Sequence, residues 1–326
     1  MTEPRISRSL TLNFVGDWGQ ANFHRVLGWL TLQFCDRAGP RSRTAIWSIR
    51  GGGLEAVPLV HDGEADLCIV TPDKLMRTAL TGEGIFHGRP MPDLRALAVL
   101  PQNDAMVFAI DQRFGVRSFA DLRRIKPAIR IARSVDDGTN FIGYVTSRFL
   151  EAHGVSAADI ESWGGSFASF QRPEECLGMM LRGEVDAVLQ EAVMTPWWME
   201  VMGKGTVIAI PAEPEALAVL EASLGLPART IPAGYWPGLE RPLTTLDFAD
   251  FVVLVRADMP DDVAHLLTWC LVETRAHIER QFRHIPPERS PLSYPLTPAK
   301  MALPSIPLHP GALAYYESAG HLPVSS

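Results

Sequence analysis

Two kinds of apolar spacing alternate along this chain. Residues 10–15 (LTLNFV) set apolar and polar side chains by turns, as a half-buried strand does. From 22 to about 38 the apolar residues Phe23, Val26, Leu27, Leu30 and Phe34 follow one helix face, until Gly39 and Pro40 end it. The same alternation predicts strands at 44–49, 67–70, 94–100 and 105–110, helices at 54–62 and after 71–73, and a short capped helix opening at Ser118. Further on it predicts strands at 129–132, 160–163, 187–190 and 206–210. Helices are predicted from 141, over 175–182, from Pro196, and over 213–224, 258–280 and 311–318. Residues 82–92 and 226–240, rich in glycine and proline, read as loops. The tail 285–310 holds eight prolines and is expected to lack regular structure. The ten-residue apolar run 247–256 is long enough to cross between domains. Strands that feed helices in this order make an α/β protein.

The stretch 129–154 stands at the centre of the pattern. A short apolar strand passes through the polar turn 134–140 (SVDDGTN) into a helix that Gly154 ends. That turn would offer the free N–H groups and positive dipole end of the helix to a ligand, with Thr139 or Asn140 able to cap it. It is therefore a natural anion seat, except that Asp136 and Asp137 already bring negative charge to it.

A second pattern occurs twice. Asp62-Gly63-Glu64-Ala65-Asp66 precedes one buried strand and Arg182-Gly183-Glu184-Val185-Asp186 precedes another, each a helix-ending glycine followed by acidic residues. The two halves of the chain are thus expected to be related βαβ lobes.

Composition narrows the function classes. The chain of 326 residues is 47% hydrophobic and 21% charged, enough for one large or two medium domains with a sizeable core. Its net charge of -7 is spread through the sequence without a basic stripe, which speaks against nucleic acid as a partner. Cys35, Cys68, Cys176 and Cys270 form no CxxC pair, and the three in apolar surroundings, Cys35, Cys68 and Cys270, read as small buried hydrophobes, so no metal is expected. The first residues carry no apolar run of the kind that marks a secretory leader, and no stretch is long enough for a membrane span. The chain as read is expected to be cytoplasmic and not membrane-inserted, or periplasmic if a leader has been removed from it.

Four segments carry a family likeness. Residues 51–73 (GGGLEAVPLVHDGEADLCIVTPD), 230–238 (TIPAGYWPG), 252–260 (VVLVRADMP) and 306–320 (IPLHPGALAYYESAG) resemble, in order, the TAXI family of solute-binding proteins of tripartite (TRAP) transporters. The resemblance implies the type II periplasmic-binding-protein fold, with two Rossmann-like α/β lobes joined by two crossing hinge segments. Lobe I would be 1–104 with 251–326, and lobe II 105–250. A small solute, often a carboxylate, would be held in an interlobe cleft by hinge closure, without catalysis or cofactor, for a membrane transporter subunit. The ligand loops depart from the family: 16–24 (GDWGQANFH) and 134–140 stand where relatives have small Gly-, Ser- or Thr-rich loops.

Ligands in open α/β sheets sit beyond the carboxyl ends of strands. That rule selects the turns 16–23, 50–53, 71–73, 134–140, 164–169 and 190–198. The candidate ligand residues are Asp17, Trp18, Phe23, Arg50, Gly51, Gly52, Thr71, Ser134, Asp136, Asp137, Gly138, Thr139, Asn140, Gln190 and Trp197. Each has a plainer alternative. Arg50 could fork onto a carboxylate or be a surface arginine; Trp18 and Phe23 could wall a planar ligand or pack on their own lobe; of Trp197 and Trp198, one is expected in the core. Asp136 and Asp137 could be solvated helix-start charges, and His309 reads as structural.

The favoured function is capture of a small organic acid or related metabolite. Two alternatives use the same scaffold. One is a cytosolic, cofactor-independent enzyme such as a decarboxylase of a small aromatic acid, with Asp136, Asp137, Glu191 and His24 as acid/base groups. The other is a cytosolic ligand sensor.

Overall fold

The computed structural model describes residues 3–17, 22–49, 53–192 and 196–324. Its strands are β1 (Thr11–Asp17), β2 (Arg43–Ile49), β3 (Leu67–Val70), β4 (Leu94–Leu100), β5 (Ala105–Asp111) and β6 (Arg130–Ser134). After them come β7 (Ser166–Phe170), β8 (Ala187–Glu191), β9 (Val207–Ile210), β10 (Ala228–Ile231), β11 (Leu243–Asp247) and β12 (Phe251–Arg256). The chain divides into two compact units, Met1–Asn103 with Ala249–Ser326 and the continuous segment Asp104–Phe248.

Unit 1 has the sheet order β2-β1-β3-β12-β4. β1 runs parallel to β2 and β3, and β12 lies antiparallel between β3 and β4. Unit 2 has the order β10-β11-β5-β8-β6-β7, with β9 also pairing with β5. Here β6 runs parallel to β7 and β8, and β5 is antiparallel to β8. The core orders β2-β1-β3-β12 and β7-β6-β8-β5 are the same arrangement built twice. Every residue of β3 and of β8 is buried, as parallel strands covered on both faces must be.

The acidic repeat explains part of this duplication. Gly63 and Gly183 adopt left-handed backbone at the helix ends. The Asp66 carboxylate then accepts the amide of Asn13 in β1 at 2.6 Å, and the Asp186 carboxylate accepts that of Arg130 at the start of β6 at 2.8 Å. One device therefore joins the incoming strand to its parallel neighbour in both units.

In unit 1 the helix Asn22–Cys35 buries Phe23, Val26, Leu27, Leu30 and Phe34, the face read from its spacing, against strands and the helix Asp261–Glu273. The last helix, Pro310–Ser318, is capped by His309, whose Nδ1 accepts the Gly311 amide at 3.1 Å. Gly311 allows close contact, since a Cβ there would lie 2.1 Å from the Asp261 carbonyl oxygen. In unit 2 Trp198 is fully buried and stacks on Trp236 at 5.4 Å, so the 230–238 segment serves the core.

Several elements differ from expectation. Residues 160–163, read as a strand, are the end of the helix Ala157–Ser162 and its C-cap Trp163, because Ser156 and Asp159 form a capping box at the helix start. The strand is β7, which begins where a turn was expected. Residues 226–240 contain β10, a four-residue edge strand hidden from the sequence pattern by flanking prolines, and β11 follows it. The helical region 258–280 breaks at Thr274 into Asp261–Glu273 and Arg275–Arg280. The proline-rich tail still forms the short helix Pro298–Met301, with proline in its first turn where no amide is needed. No helix among the described residues is long and apolar enough to cross a membrane.

Candidate functional site

At the carboxyl ends of β6 and β8 two polar side chains meet. Gln190 donates through Nε2 to Ser134 Oγ at 2.6 Å, and its Oε1 accepts the Glu191 amide at 3.1 Å. Ser134, Gln190 and Glu191 are all buried, so their side chains set the ends of the two strands relative to each other. Beyond Ser134 the Val135 amide donates to Phe170 O at 2.9 Å, after which the chain emerges at Asp136, Asp137 and Thr139. Asp137 Oδ1 accepts both the amide and the hydroxyl of Thr139, at 3.0 and 2.6 Å. Gly138 supplies the left-handed residue this turn needs (φ 83°).

The loop ends at buried Asn140, which caps the helix Phe141–Ala152 by accepting the Gly143 amide at 3.1 Å. Its Nδ2 donates to Gln171 O at 3.2 Å, tying the loop to the end of β7. Gly143 permits the closest contact of all, because a Cβ there would lie 1.7 Å from the Val135 carbonyl oxygen. The loop is thus pressed onto the first turn of its helix and held from both sides.

Arg133, a residue the pattern reading passed over, lies beneath that helix. Its guanidinium sits 4.0 Å from the Phe167 ring centroid and donates to Ser147 Oγ at 2.9 Å. Burial pushes its pKa down, and the carboxylates of Asp136, Glu151 and Glu161 act against that shift. Burial also raises Tyr144; Arg148 opposes the rise and Asp136 adds to it. The Asp136 charge therefore bears on both neighbours. The sequence signal for Arg133 was a second cation next to the apolar pair Ile131 and Ala132 of β6.

In unit 1, β1 ends at Asp17; Trp18, Arg50, Gly51, Gly52 and the Asp17 side chain lie outside the described residues. Phe23 is 4% exposed and packs edge-on against Phe251 at 4.8 Å, so its ring belongs to the core rather than to a ligand wall. His24 Nε2 lies 2.8 Å from Ser48 Oγ, and burial lowers its pKa. Thr71 donates to Asp250 O at 3.2 Å. Next to it buried Asp73 accepts the Ser305 amide on both carboxylate oxygens, at 3.1 and 3.0 Å, and its carbonyl accepts the Ser305 hydroxyl at 2.6 Å. Burial raises Asp73 to about 6; the Ser305 amide opposes this and nearby Asp250 reinforces it. Asp73 was also passed over, although its place in Thr-Pro-Asp after a buried strand marks it.

The expected residues are therefore placed unevenly. Ser134 and Gln190 are brought into direct contact, and Asp136–Asn140 form one loop. Glu191 is buried within unit 2 and its carbonyl accepts Trp198 Nε1 at 2.7 Å, while His24 belongs to unit 1. Trp197 is 37% exposed beside buried Trp198. Of the turn expected at 164–169, Gly164 and Gly165 precede β7 and Ser166–Ser169 belong to the strand, whose carboxyl end is Phe170. Residues 193–195 are outside the described set. Among the described residues no group of three or more His, Cys, Asp or Glu could hold a metal ion.

A model of the NMT1-like family matches residues 40–320. A comparison with curated proteins finds no match. Among solved structures, XAC2383 from Xanthomonas citri bound to ATP is 12% identical, with 90% of this chain and 93% of that one covered and a TM-score of 0.55. The same protein bound to chloride ion is 12% identical over 89% and 93%, with a TM-score of 0.52. The alkanesulfonate-binding protein SsuA from Xanthomonas axonopodis pv. citri bound to MOPS is 15% identical over 97% and 96%, with a TM-score of 0.44. At these identities the likeness is one of fold: mixed α/β with two sheets.

Proposed function

The chain belongs to the NMT1-like family, and from that premise we propose that it is a solute-binding protein that takes a small organic acid or related metabolite at the loop between β6 and the helix Phe141–Ala152. The observation that carries this reading is the fixed form of that loop. Asn140, Gln171 and the Gly143 contact hold it in place through the chain's own bonds, so little ordering entropy is left for binding. The helix start favours negative charge, and exposed Asp136 and Asp137 favour a hydrogen-bond donor. The ligand is thus one that carries both an acid and a hydroxyl or amine. The ATP and chloride named for XAC2383 fit a preference for anions in this fold. The finer part of the proposal is a TAXI-like role as receptor for a tripartite transporter, with a membrane subunit as partner; fractionation of the untagged protein from its host tests the compartment this requires.

No placement favours the enzymatic alternative, since Asp137 is engaged by Thr139 and Glu191 is buried. A thermal-shift screen against hydroxy, amino, aromatic and simple dicarboxylic acids tests the binding reading. A ligand at a hundredfold excess over Kd stabilises the protein by about 2.7 kcal/mol. The Asp136→Asn, Asp137→Asn double variant is expected to weaken the hit by roughly tenfold, the size of one charge-assisted bond. Unchanged affinity would remove this loop from the site, and consumption of the hit seen by NMR would overturn a pure binding role.

A further inference from the structure

Unit 2 carries a cavity of about 610 Å³ at the opposite end of its sheet from the Ser134 loop. The placement follows from strand direction: Gln112 and Arg117 come after β5, which is antiparallel to β8 and ends beside the start of β8. Two features of this cavity point to an occupant, and they are independent of the binding reading above.

The first is charge. Arg117 and Arg241 line the cavity and are exposed, and neither guanidinium has a hydrogen-bond or ion-pair partner among the described residues. Glu240 lines it as well, so two cations face one carboxylate. Most other arginines near the surface of this chain are paired: Arg113 with Asp186, Arg123 with Glu213 at 2.8 Å, Arg182 with Glu184 at 2.8 Å.

The second is a strand edge. Both β9 and β11 lie along the same side of β5, β9 against Phe108–Asp111 and β11 against Ala105 and Met106. Where the side passes from one to the other, Ala212 donates to Thr244 O at 2.9 Å. β9 pairs with β5 alone among the described strands, and its residues Ile208 and Ala209 line the cavity. An unpaired edge is a row of backbone donors and acceptors that an extended segment can complete.

We propose that this cavity is a docking groove for an extended acidic segment of a partner protein, which adds a strand to β9 and sets its carboxylates on Arg117 and Arg241. The edge fixes the segment's direction and register through backbone bonds. The arginines select its charge by bidentate contacts. A basic segment is rejected by the same pair.

The test uses the full chain and a fluorescein-labelled peptide of alternating valine and glutamate, read by anisotropy. Saturable binding is expected, weakened by salt and by roughly tenfold or more in the Arg117→Gln, Arg241→Gln double variant, whose thermal melt verifies its fold. Methylation of alternate peptide amides removes the strand bonds while keeping the charge, and it is expected to abolish binding. Equal binding of the methylated peptide, displacement by an equal concentration of free glutarate, or equal binding of a valine–lysine peptide would each overturn strand docking. The peptide comparisons on the unaltered protein decide the matter even if the double variant does not fold.

Discussion

Asp73 and His153 are both buried ionisable side chains, and burial makes them act on stability in opposite directions along the pH scale. Asp73 is raised from its ordinary 3.8 to about 6, chiefly by desolvation. A carboxyl raised in the folded state lends stability that is complete below the unfolded value and is lost as pH rises through the folded one. Asp73→Asn, which keeps an acceptor for the Ser305 amide, is therefore expected to gain on the unaltered protein by on the order of 1–3 kcal/mol between about pH 4 and pH 8. Denaturant melts at the two pH values check this; a pH-independent difference would mean that Asp73 stays ionised in the fold. His153 works the other way. It stacks on Phe119 at 3.8 Å, Nδ1 lies 2.7 Å from the Phe149 oxygen, and Nε2 accepts the Glu213 amide at 3.0 Å. This arrangement needs the neutral ring, and burial lowers its pKa. Its contribution is whole above the unfolded value of 6.5 and is lost as pH falls below it. His153→Gln is expected to lose less stability between pH 7 and pH 5 than the unaltered protein, as followed by thermal melts.

Among the elements, the helix Phe141–Ala152 depends most on one glycine. Gly143→Ala puts a methyl group 1.7 Å from the Val135 oxygen, a distance no side-chain rotation relieves, so the loop or the helix start has to move. The expected cost is about 2–4 kcal/mol in denaturant melts, well beyond what helix propensity would return. Ligand affinity should fall with it if the loop is the seat; full affinity in a destabilised variant would separate the loop from binding. Much at this scale was legible from spacing alone. The helix Asn22–Cys35, the strands β3 and β4, and the duplicated glycine–acid motif stand out because local period and caps agree. The missed elements have local signals that compete. The run Ile160–Trp163 is too short to show either period, so the Ser156 cap decides for helix, and β10 exists only because β11 offers it an edge. Polar contacts such as Asp73 with Ser305, 232 residues apart, leave no periodic trace, so the supporting bonds of the candidate site were not readable.

Along the chain, one continuous unit interrupts the sequence of the other. Unit 2, Asp104–Phe248, has its own sheet and its own core of Val107, Leu177, Trp198 and Trp236. A fragment of those residues is expected to unfold cooperatively in calorimetry, with calorimetric and van't Hoff enthalpies in agreement. Residues 1–103 alone are expected to show no such transition, because β12, which pairs with both β3 and β4, is supplied only after unit 2. A cooperative melt of that shorter piece would contradict the central place given to β12.

That place of β12 has a consequence for the chain as it is made. Ribosomes deliver roughly 5–20 residues each second, so β3 and β4 leave the ribosome on the order of ten seconds or more before the strand that joins them. During that interval unit 2 can close on itself, while the nascent first unit holds two apolar strand edges open. Those edges stay open until β12, the last described strand to be synthesised, arrives to close them.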